Sequence, residues 1–477
     1  MEPQNHPVNH IQEQLRSLPI LTLTEQQLTQ LEQLVLDEEI YLAVTQLGPL
    51  KTPRPDGILA AFYQKFWSIV KHDICQMVKA FFHSGFLLKT LNFTFITLIQ
   101  KIPTPKLVTQ LRLISLCNVT YKIISKILVN RLKPLMDSLI TPFQNAFIQG
   151  RQLTDNIILA QEVFEYLKKK HKGKWGFGGL KLDMNKAYDR LSWNFLIVVM
   201  STMGFSSKWI TWVTQCISTV SYNILINGTT SKTITPTRGI RQGDPLSPYL
   251  FLFCANILSC ALINQEQIGN LKGLKIGRSA PPLSHLLFVD DSFIFFKIDK
   301  NTPTIIQQNL AWYCCLSGQS INLEKSELFC SPNLPLRQQN NLALQLGVKL
   351  VDKLGRYLGI NFELRGNRIS DFQELIHKVS GKLQGWTAKL LSQAERLTLI
   401  NSVLHFIPIY NFSVLKAPQA ICTKLDSIIN AFWWGHDISQ KKLHLTHWDT
   451  LIKPKHMGGL GIKKFGLMNK ALISKQY

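Results

Sequence analysis

The sequence predicts an α+β protein built on a mostly antiparallel sheet. Three observations support this. Short β-branched apolar runs alternate with segments of helical period, two such runs flank Asp290-Asp291-Ser292 as a hairpin would, and from about Phe372 the chain turns helical and basic. With 477 residues, 45% hydrophobic and 17% charged, the chain has the apolar mass for a large core, which excludes wholesale disorder and a disulfide-stapled miniprotein. Lys and Arg number 53 against 30 Asp and Glu, a net charge of +23, so a polyanion is expected nearby, nucleic acid ahead of a membrane surface.

Thr22 to Leu50 has a helical pattern. Thr24 is a cap, and Ile40, Ala43, Val44 and Leu47 fall on one face. The loop Lys51 to Gly57 stops it. Ile58 to Phe82 reads as an aromatic-rich helix, Phe93 to Ile99 as a strand ended by Pro103 and Pro105, and Val119 to Leu132 as a helix whose Lys122, Lys126, Asn130 and Arg131 give it a basic side. Gly178 to Leu182 and Tyr222 to Asn227 read as strands, and Trp193 to Met203 and Pro248 to Ile263 as helices. Leu286 to Val289 and Phe293 to Phe296 read as the arms of the hairpin. Beyond a boundary expected near Leu364 to Arg368, Trp386, Trp433, Trp434 and Trp448 interleave with Lys and Arg. The most apolar stretch, Tyr249 to Ile263, is interrupted by Asn256 and falls short of the roughly 20 residues a bilayer crossing needs, so a buried helix is expected and no membrane partner. The polar start, Met1 to His10, shows no secretory signal, and an intracellular protein is expected. Nine cysteines without a C-x-x-C pair argue against a disulfide framework or a zinc knuckle and for reduced core residues.

Asp183 ends the Gly178 to Leu182 strand, where a carboxylate can leave the sheet and face a cleft. Taken alone, an aspartate capping the next turn is the commoner reading. Asp290 and Asp291 lie between strands too apolar to be solvated on both sides. At a hairpin turn both can converge, and a divalent cation is the usual way to keep such a pair ionised, the alternative being an exposed polar turn. Three carboxylates on neighbouring strands could share two Mg²⁺ ions. Two metals about 3.5 to 4 Å apart activate an attacking 3′-hydroxyl and stabilise leaving pyrophosphate, which is polymerase chemistry. Thr237 to Tyr249 is a glycine-bearing loop running into a helix, with Ser247 as N-cap and Pro248 first in the helix. Gly239 and Gly243 allow close approach to a ligand, and Arg241 and Gln242 offer donors to a base or phosphate, an ordinary capped turn being the alternative.

The set Leu182-Asp183-Met-Asn-Lys-Ala-Tyr-Asp189, Arg241-Gln-Gly-Asp-Pro-Leu-Ser-Pro248 and Phe288-Val-Asp-Asp291, in that order, resembles the reverse transcriptase of plant LINE-type non-LTR retrotransposons. The resemblance runs from about Lys51 to the last residue and takes in Ile114 to Leu128, Gln144-Asn-Ala-Phe147, Ser317 to Ser326, Tyr357-Leu-Gly359 and Ala431 to Gly435. It implies a right-hand polymerase fold with fingers, an antiparallel-sheet palm and a helical thumb. The implied domains are an N-terminal helical extension (1–50), a reverse transcriptase domain (51–364, fingers about 51–176, palm about 177–364) and a helical, basic, thumb-like region (365–477). The endonuclease and the zinc-binding or RNase H segments of full-length elements are expected to be missing.

Carried over residue by residue, the resemblance makes Asp183 and Asp290 metal ligands, with Asp291 in the same acidic cluster and the backbone carbonyl of Met184 a further ligand. The implied cofactor is two Mg²⁺ ions, with Mn²⁺ as a substitute. Tyr188 corresponds to the residue beneath the incoming sugar that excludes a 2′-hydroxyl, core packing being the alternative. Lys101 and Arg112 match the positions that neutralise the triphosphate, Gln242 with Gly243 lines the nucleotide site, and Lys325 is suited to protonate pyrophosphate. Tyr357, Leu358 and Gly359 resemble the grip on the primer end. Trp433 and Trp434 are expected to pack the thumb rather than stack on bases, and His444 and His447 to lie on the surface. Arg54, Gln100, Leu113, Gln149 and Val289 stand where the family pattern has Gly, Pro, Pro, Pro and Ala. None removes a metal ligand, but bulk at Val289 can displace the carboxylates. The implied function is RNA-directed DNA polymerisation on an RNA template with a DNA primer and deoxynucleoside triphosphates, nuclear if active. A catalytically silent nucleic-acid-binding relic and a maturase-like RNA-binding factor are the competing readings. Oligomeric state is not set by the sequence.

Overall fold

The structure, a computed structural model, describes residues 7–52, 54–277, 279–362, 369–384, 390–436 and 443–475. It divides into two compact units, one of residues 1–156 and 162–351, the other of residues 157–161 and 352–477. Leu364 to Arg368, where a boundary is expected, and Trp386 lie outside the described residues.

The first unit opens with α1 (Val8–Leu15), α2 (Glu25–Leu31) and α3 (Asp37–Thr45). Thr24 caps α2: its hydroxyl accepts from Gln27 N at 3.3 Å while Gln27 Oε1 accepts from Thr24 N at 3.0 Å. Ile40, Ala43, Val44 and Leu47 are buried, as their spacing requires. The single helix expected over Ile58 to Phe82 is two, α4 (Ala60–Lys65) and α5 (Trp67–Ser84), because Phe66 leaves the helical region at φ −105° and ψ 26°.

Chain order continues with β1 (Phe93–Gln100), β2 (Leu111–Cys117), α6 (Val119–Leu132), α7 (Met136–Leu139), α8 (Leu153–Lys169), β3 (Phe177–Leu182), α9 (Ala187–Arg190), α10 (Trp193–Thr202) and α11 (Ser207–Ser218). After these come β4 (Ser221–Ile226), β5 (Thr229–Thr230), α12 (Ser247–Gln267), β6 (His285–Phe288), β7 (Asp291–Lys297), α13 (Thr302–Ser317), β8 (Glu327–Cys330), α14 (Leu336–Leu346) and β9 (Lys349–Leu350). The expected basic side of α6 is not a solvated face. Lys122 and Lys126 are half-buried, desolvation holding both ammonium groups below their usual range, and Arg131 is paired with Glu39 at 2.8 Å.

The strands form two sheets, ordered β2-β1-β4-β5 and β6-β7-β3-β8-β9. Both are mixed rather than antiparallel throughout. β1 runs parallel to β4 and β8 parallel to β9, each pair joined by a connection that contains helix, as a parallel pair needs. The second sheet has β3 at its centre, antiparallel to both β7 and β8. Gly178 and Gly179 in β3 keep it thin: a Cβ on Gly178 would stand 2.7 Å from the Phe296 ring, and one on Gly179 3.0 Å from Phe164.

The core helix α12 is longer than expected, at 21 residues, and every residue from Tyr249 to Leu262 is buried. Among the described residues it is the one helix long and apolar enough to cross a membrane, yet here it lies inside the protein. Its Asn256 is satisfied, its Oδ1 accepting from Thr141 N at 3.0 Å and Thr141 Oγ1 at 2.9 Å. None of the nine cysteines is in a disulfide; seven are buried, while Cys314 is half-buried and Cys315 exposed.

The second unit begins with a hairpin, β10 (Arg356–Tyr357) and β11 (Ile360–Asn361), followed by α15 (Gln373–Gln384), α16 (Gln393–Leu399), α17 (Ile409–Val414), α18 (Gln419–Trp433), α19 (Trp448–Leu451) and α20 (Phe465–Ser474). Its core gathers Phe372, Ile400, Phe412, Leu425 and Phe465. Trp433 is buried in that core, Trp448 packs against it, and Trp434 does so while stacking on His444 at 5.2 Å. His444 and His447 are exposed.

Candidate active site

Pairing between β3 and β7 ends at Leu182 opposite Ser292, so the next residue on one strand, Asp183, and the preceding one on the other, Asp291, leave the ladder side by side. Asp291 pairs with Phe288 across the hairpin, and Val289 and Asp290 form its two-residue turn. The expected polar segment of three residues is therefore shorter, with Asp291 already in the strand. Val289 takes φ +55° at the first turn position, where glycine is the usual residue. Segment 143–146 backs the turn. Gln144 Oε1 accepts from Ala146 N at 3.0 Å and Val289 N at 3.3 Å, Phe143 O accepts from Leu287 N at 2.8 Å, and Asn156 Nδ2 donates to Leu287 O at 2.9 Å.

Asp183 is fixed from the other side. Its N–H donates to Ser326 Oγ at 3.3 Å, and its carbonyl accepts from Asn322 N at 2.8 Å. Asn185 N donates to Ser320 O at 2.7 Å, and Met184 is bridged to Ile321 between these two bonds. As the non-bonded member of that antiparallel pair, Met184 turns its own carbonyl away from the 320–322 strand, leaving it free to face a ligand. Lys325 is exposed on the same loop, its N–H donating to Asn322 O at 3.2 Å.

The charge of Asp183 acts on Asp290 and Asp291, whose carboxyls are both raised. The surrounding protein desolvates Asp290 although the turn is open to solvent, and this, with the charge of Asp183, holds its carboxyl above the ordinary range. Asp291 is pushed up to about 6, by burial first, then by Asp290 and Asp183 against the opposing pull of Lys181. Among the described residues no three acidic, histidine or cysteine side chains stand close enough to hold a metal ion together, so the three aspartates expected to share the metals meet at this end of the ladder without forming a ready-made cluster. The donors still suit Mg²⁺, which is commonly held by one or two carboxylates and completed by substrate phosphates and water. Repelling carboxylates with raised proton affinity are the chemistry such a cation relieves.

Tyr188 joins this corner. Its ring stacks on Phe251 of α12, with centroids 5.2 Å apart and planes 6° from parallel, and burial, with Asp290 adding to it, raises its hydroxyl well above the ordinary tyrosine value. The packing and nucleotide-site readings are therefore compatible. Its carbonyl accepts from Ile240 N at 2.8 Å, tying it to the loop that carries Gln242.

That loop corrects the sequence reading in three respects. Arg241 does not offer its donors to a ligand. It is buried, and its guanidinium bonds Asn92 Oδ1 at 2.5 Å, Thr94 Oγ1 at 3.3 Å and Cys216 O at 3.0 Å, pairs with Asp244 at 3.5 Å and lies 3.9 Å over the Tyr121 ring. Ser247 is the first residue of α12 rather than its N-cap, which is Leu246, whose N–H donates to Asp244 Oδ1 at 3.3 Å. The glycines approach the protein's own backbone: a Cβ on Gly239 would stand 2.6 Å from Asp189 O, and one on Gly243 3.0 Å from Ser115 O. Gln242 is half-buried, its carbonyl accepting from Ser115 N of β2 at 2.8 Å.

β2 also carries the exposed Arg112, in register with Ile99 of β1. Lys101 follows β1, its ammonium donating to Thr109 O at 3.0 Å and its charge reaching Asp189. Tyr357, Leu358 and Gly359 belong to the second unit. Leu358 (φ +47°) and Gly359 (φ +82°) form the two-residue turn of the β10–β11 hairpin, Tyr357 is buried, and Tyr410 OH donates to Leu358 O. The residues that sequence reasoning left without a role are Gln144, Asn156 and Ser326, which hold the aspartate-bearing backbone. The Gln144 to Phe147 and Ser317 to Ser326 motifs were the signals for the first and the last.

Residues 100–362 match the family described as reverse transcriptase (RNA-dependent DNA polymerase). Over 419 residues, 87% of this chain and 31% of the relative, the sequence is 24% identical to the transposon TX1 uncharacterized 149 kDa protein of Xenopus laevis. Over 307 residues, 62% of this chain and 40% of the relative, it is 25% identical to a retrovirus-related Pol polyprotein from type-1 retrotransposable element R2 of Popillia japonica. A stretch of 68 residues, 14% of this chain, is 46% identical to an uncharacterized mitochondrial protein of Arabidopsis thaliana, of which it covers 56%. The chain spans less than two thirds of the length of each of these relatives.

Proposed function

The chain belongs to the reverse transcriptase family, and on that premise we propose that it extends the 3′-hydroxyl of a DNA primer on an RNA template, as the polymerase of a plant LINE-type non-LTR retrotransposon. The observation that carries this is the convergence of Asp183, Asp290 and Asp291 at one end of the β3–β7 ladder, with Tyr188 beside them.

Asp183 and Asp290 would hold divalent cations, Mg²⁺ or Mn²⁺, with Asp291 adding negative charge and the Met184 carbonyl a further oxygen. Such cations would supply activation of the attacking hydroxyl and neutralisation of the departing pyrophosphate. Lys101 and Arg112 draw in the triphosphate, Tyr188 excludes a ribose 2′-hydroxyl, Gln242 and Gly243 line the nucleotide, and Lys325 gives a proton to pyrophosphate. Tyr357, Leu358 and Gly359 grip the primer end. Fingers span about 51–176, the palm about 177–364 and the thumb 365–477, and an active copy works in the nucleus.

One observation favours the silent-relic reading. Val289 holds a left-handed turn that a β-branched side chain disfavours, beside the aspartates. Primer extension on poly(rA) with oligo(dT), dTTP and Mg²⁺ separates the two. The polymerase reading expects extension that is abolished in Asp290→Ala. No extension by the wild type, with heteroduplex binding intact, assigns the chain to the relic.

A further inference from the structure

Arg54, in the loop between α3 and α4, is 6% exposed, and its Nη1 has no hydrogen-bond partner. Its guanidinium makes no ion pair among the described residues, although burying an unpaired charge is strongly unfavourable. Lys122, in the first turn of α6, is half-buried and likewise makes no ion pair among the described residues. The two charges are close enough to act on each other: burial holds Lys122 below its usual range, and Arg54 pushes the same way.

Lys122 stands at the N-terminal end of α6, a 14-residue helix whose N-cap, Asn118, makes no side-chain capping bond, and Arg54 lies near enough for its charge to reach both Lys122 and Cys117, the residue before that cap. That end carries the positive pole of the helix dipole and the N–H groups that helix geometry leaves unbonded. The nearby carboxylates do not balance it. Asp244 is taken by Tyr121 at 2.7 Å and by Arg241, and Asp56 is exposed. A buried guanidinium and a half-buried ammonium thus repel each other beside a helix N-terminus, and among the described residues neither makes an ion pair.

We propose that Arg54, Lys122 and the first turn of α6 form a site for a phosphate group, supplied by a nucleic-acid backbone or by a nucleoside triphosphate. The site rests on charge and burial, so it is expected in an active polymerase and in a silent relic alike.

Thermal melting of the full chain tests it without reference to catalysis. In phosphate-free buffer Arg54→Met, which removes the unpaired charge while keeping bulk, melts above wild type. Inorganic phosphate then raises the wild-type midpoint by about 2 °C or more, raises Arg54→Lys and the surface control Lys275→Gln similarly, and leaves Arg54→Met and Lys122→Gln nearly unmoved. Binding separates the sources. If a backbone phosphate fills the site, the log–log salt dependence of RNA–DNA heteroduplex affinity falls by about one in Arg54→Met. If a triphosphate fills it, that slope is unchanged and metal-free dTTP stabilises wild type but not Arg54→Met. An equal response to phosphate in all five proteins, or Arg54→Met melting below wild type in its absence, overturns the proposal.

Discussion

Val289 is a β-branched residue at φ +55°, and non-glycine residues held in that region cost on the order of 1–3 kcal/mol. Glycine adopts the same turn freely, so Val289→Gly is expected to raise stability by about 1 kcal/mol after its larger chain entropy is counted. A chemical-denaturation midpoint that falls instead would show the turn to be unstrained. Four positions earlier in the chain, His285 is fully buried between Ser259 Oγ at 2.7 Å and Ser284 Oγ at 3.0 Å, and burial pushes its imidazole down to about 3. Its folded value is depressed, so its stabilising effect is present above the unfolded value near 6.5 and is lost as pH falls toward 3. At pH 5 the loss from this site is about 2 kcal/mol, which His285→Gln is expected to remove from the difference between unfolding curves at pH 7 and pH 5. Neither feature is visible in sequence. A lone His at the start of a strand and a Val before two aspartates look ordinary until burial and backbone angle are known.

The loop between β5 and α12 shows how a ligand-facing element is held from behind. Arg241 and Asp244 bind it to Asn92, Thr94, Tyr121 and Cys216, so Gln242 and Gly243 meet β2 in one arrangement. Arg241→Gln leaves Asp244 buried without its cation and is expected to cost about 3 kcal/mol of stability. In primer extension it is expected to raise the KM for dTTP more than it lowers kcat. A variant that melts early but keeps its KM would confine Arg241 to stability. The motif made this loop legible as an aimed turn, and Gly239, Gln242 and Gly243 were singled out in it. The direction of Arg241 was not legible, because a donor for phosphate and a donor for a buried carboxylate have the same spacing, and only the surrounding elements decide between them. The same limit applies to α6, whose lysines look solvated in a helical projection until elements distant in sequence cover them.

At the scale of the molecule, the +23 charge gives a direct expectation. If six to ten phosphates are neutralised, affinity for RNA–DNA heteroduplex falls by about 10³ to 10⁵ between 50 and 200 mM salt, and a flat salt profile would remove nucleic acid as the partner. Strands, core helices and the aspartate hairpin could be read from sequence because alternation, helical period and turn residues are local signals. The parallel pairings β1·β4 and β8·β9 could not, since each is closed by chain far away in sequence. α12 has a consequence of its own for how the chain is made. During synthesis this largely apolar 21-residue helix emerges before β6 and α13 exist to pack against it, and β3 likewise waits for β7 and β8. Until ribosomes have added those later segments, the nascent chain presents a greasy rod that membrane-insertion machinery and aggregation both recognise, so its yield in cells depends on chaperone supply and translation rate.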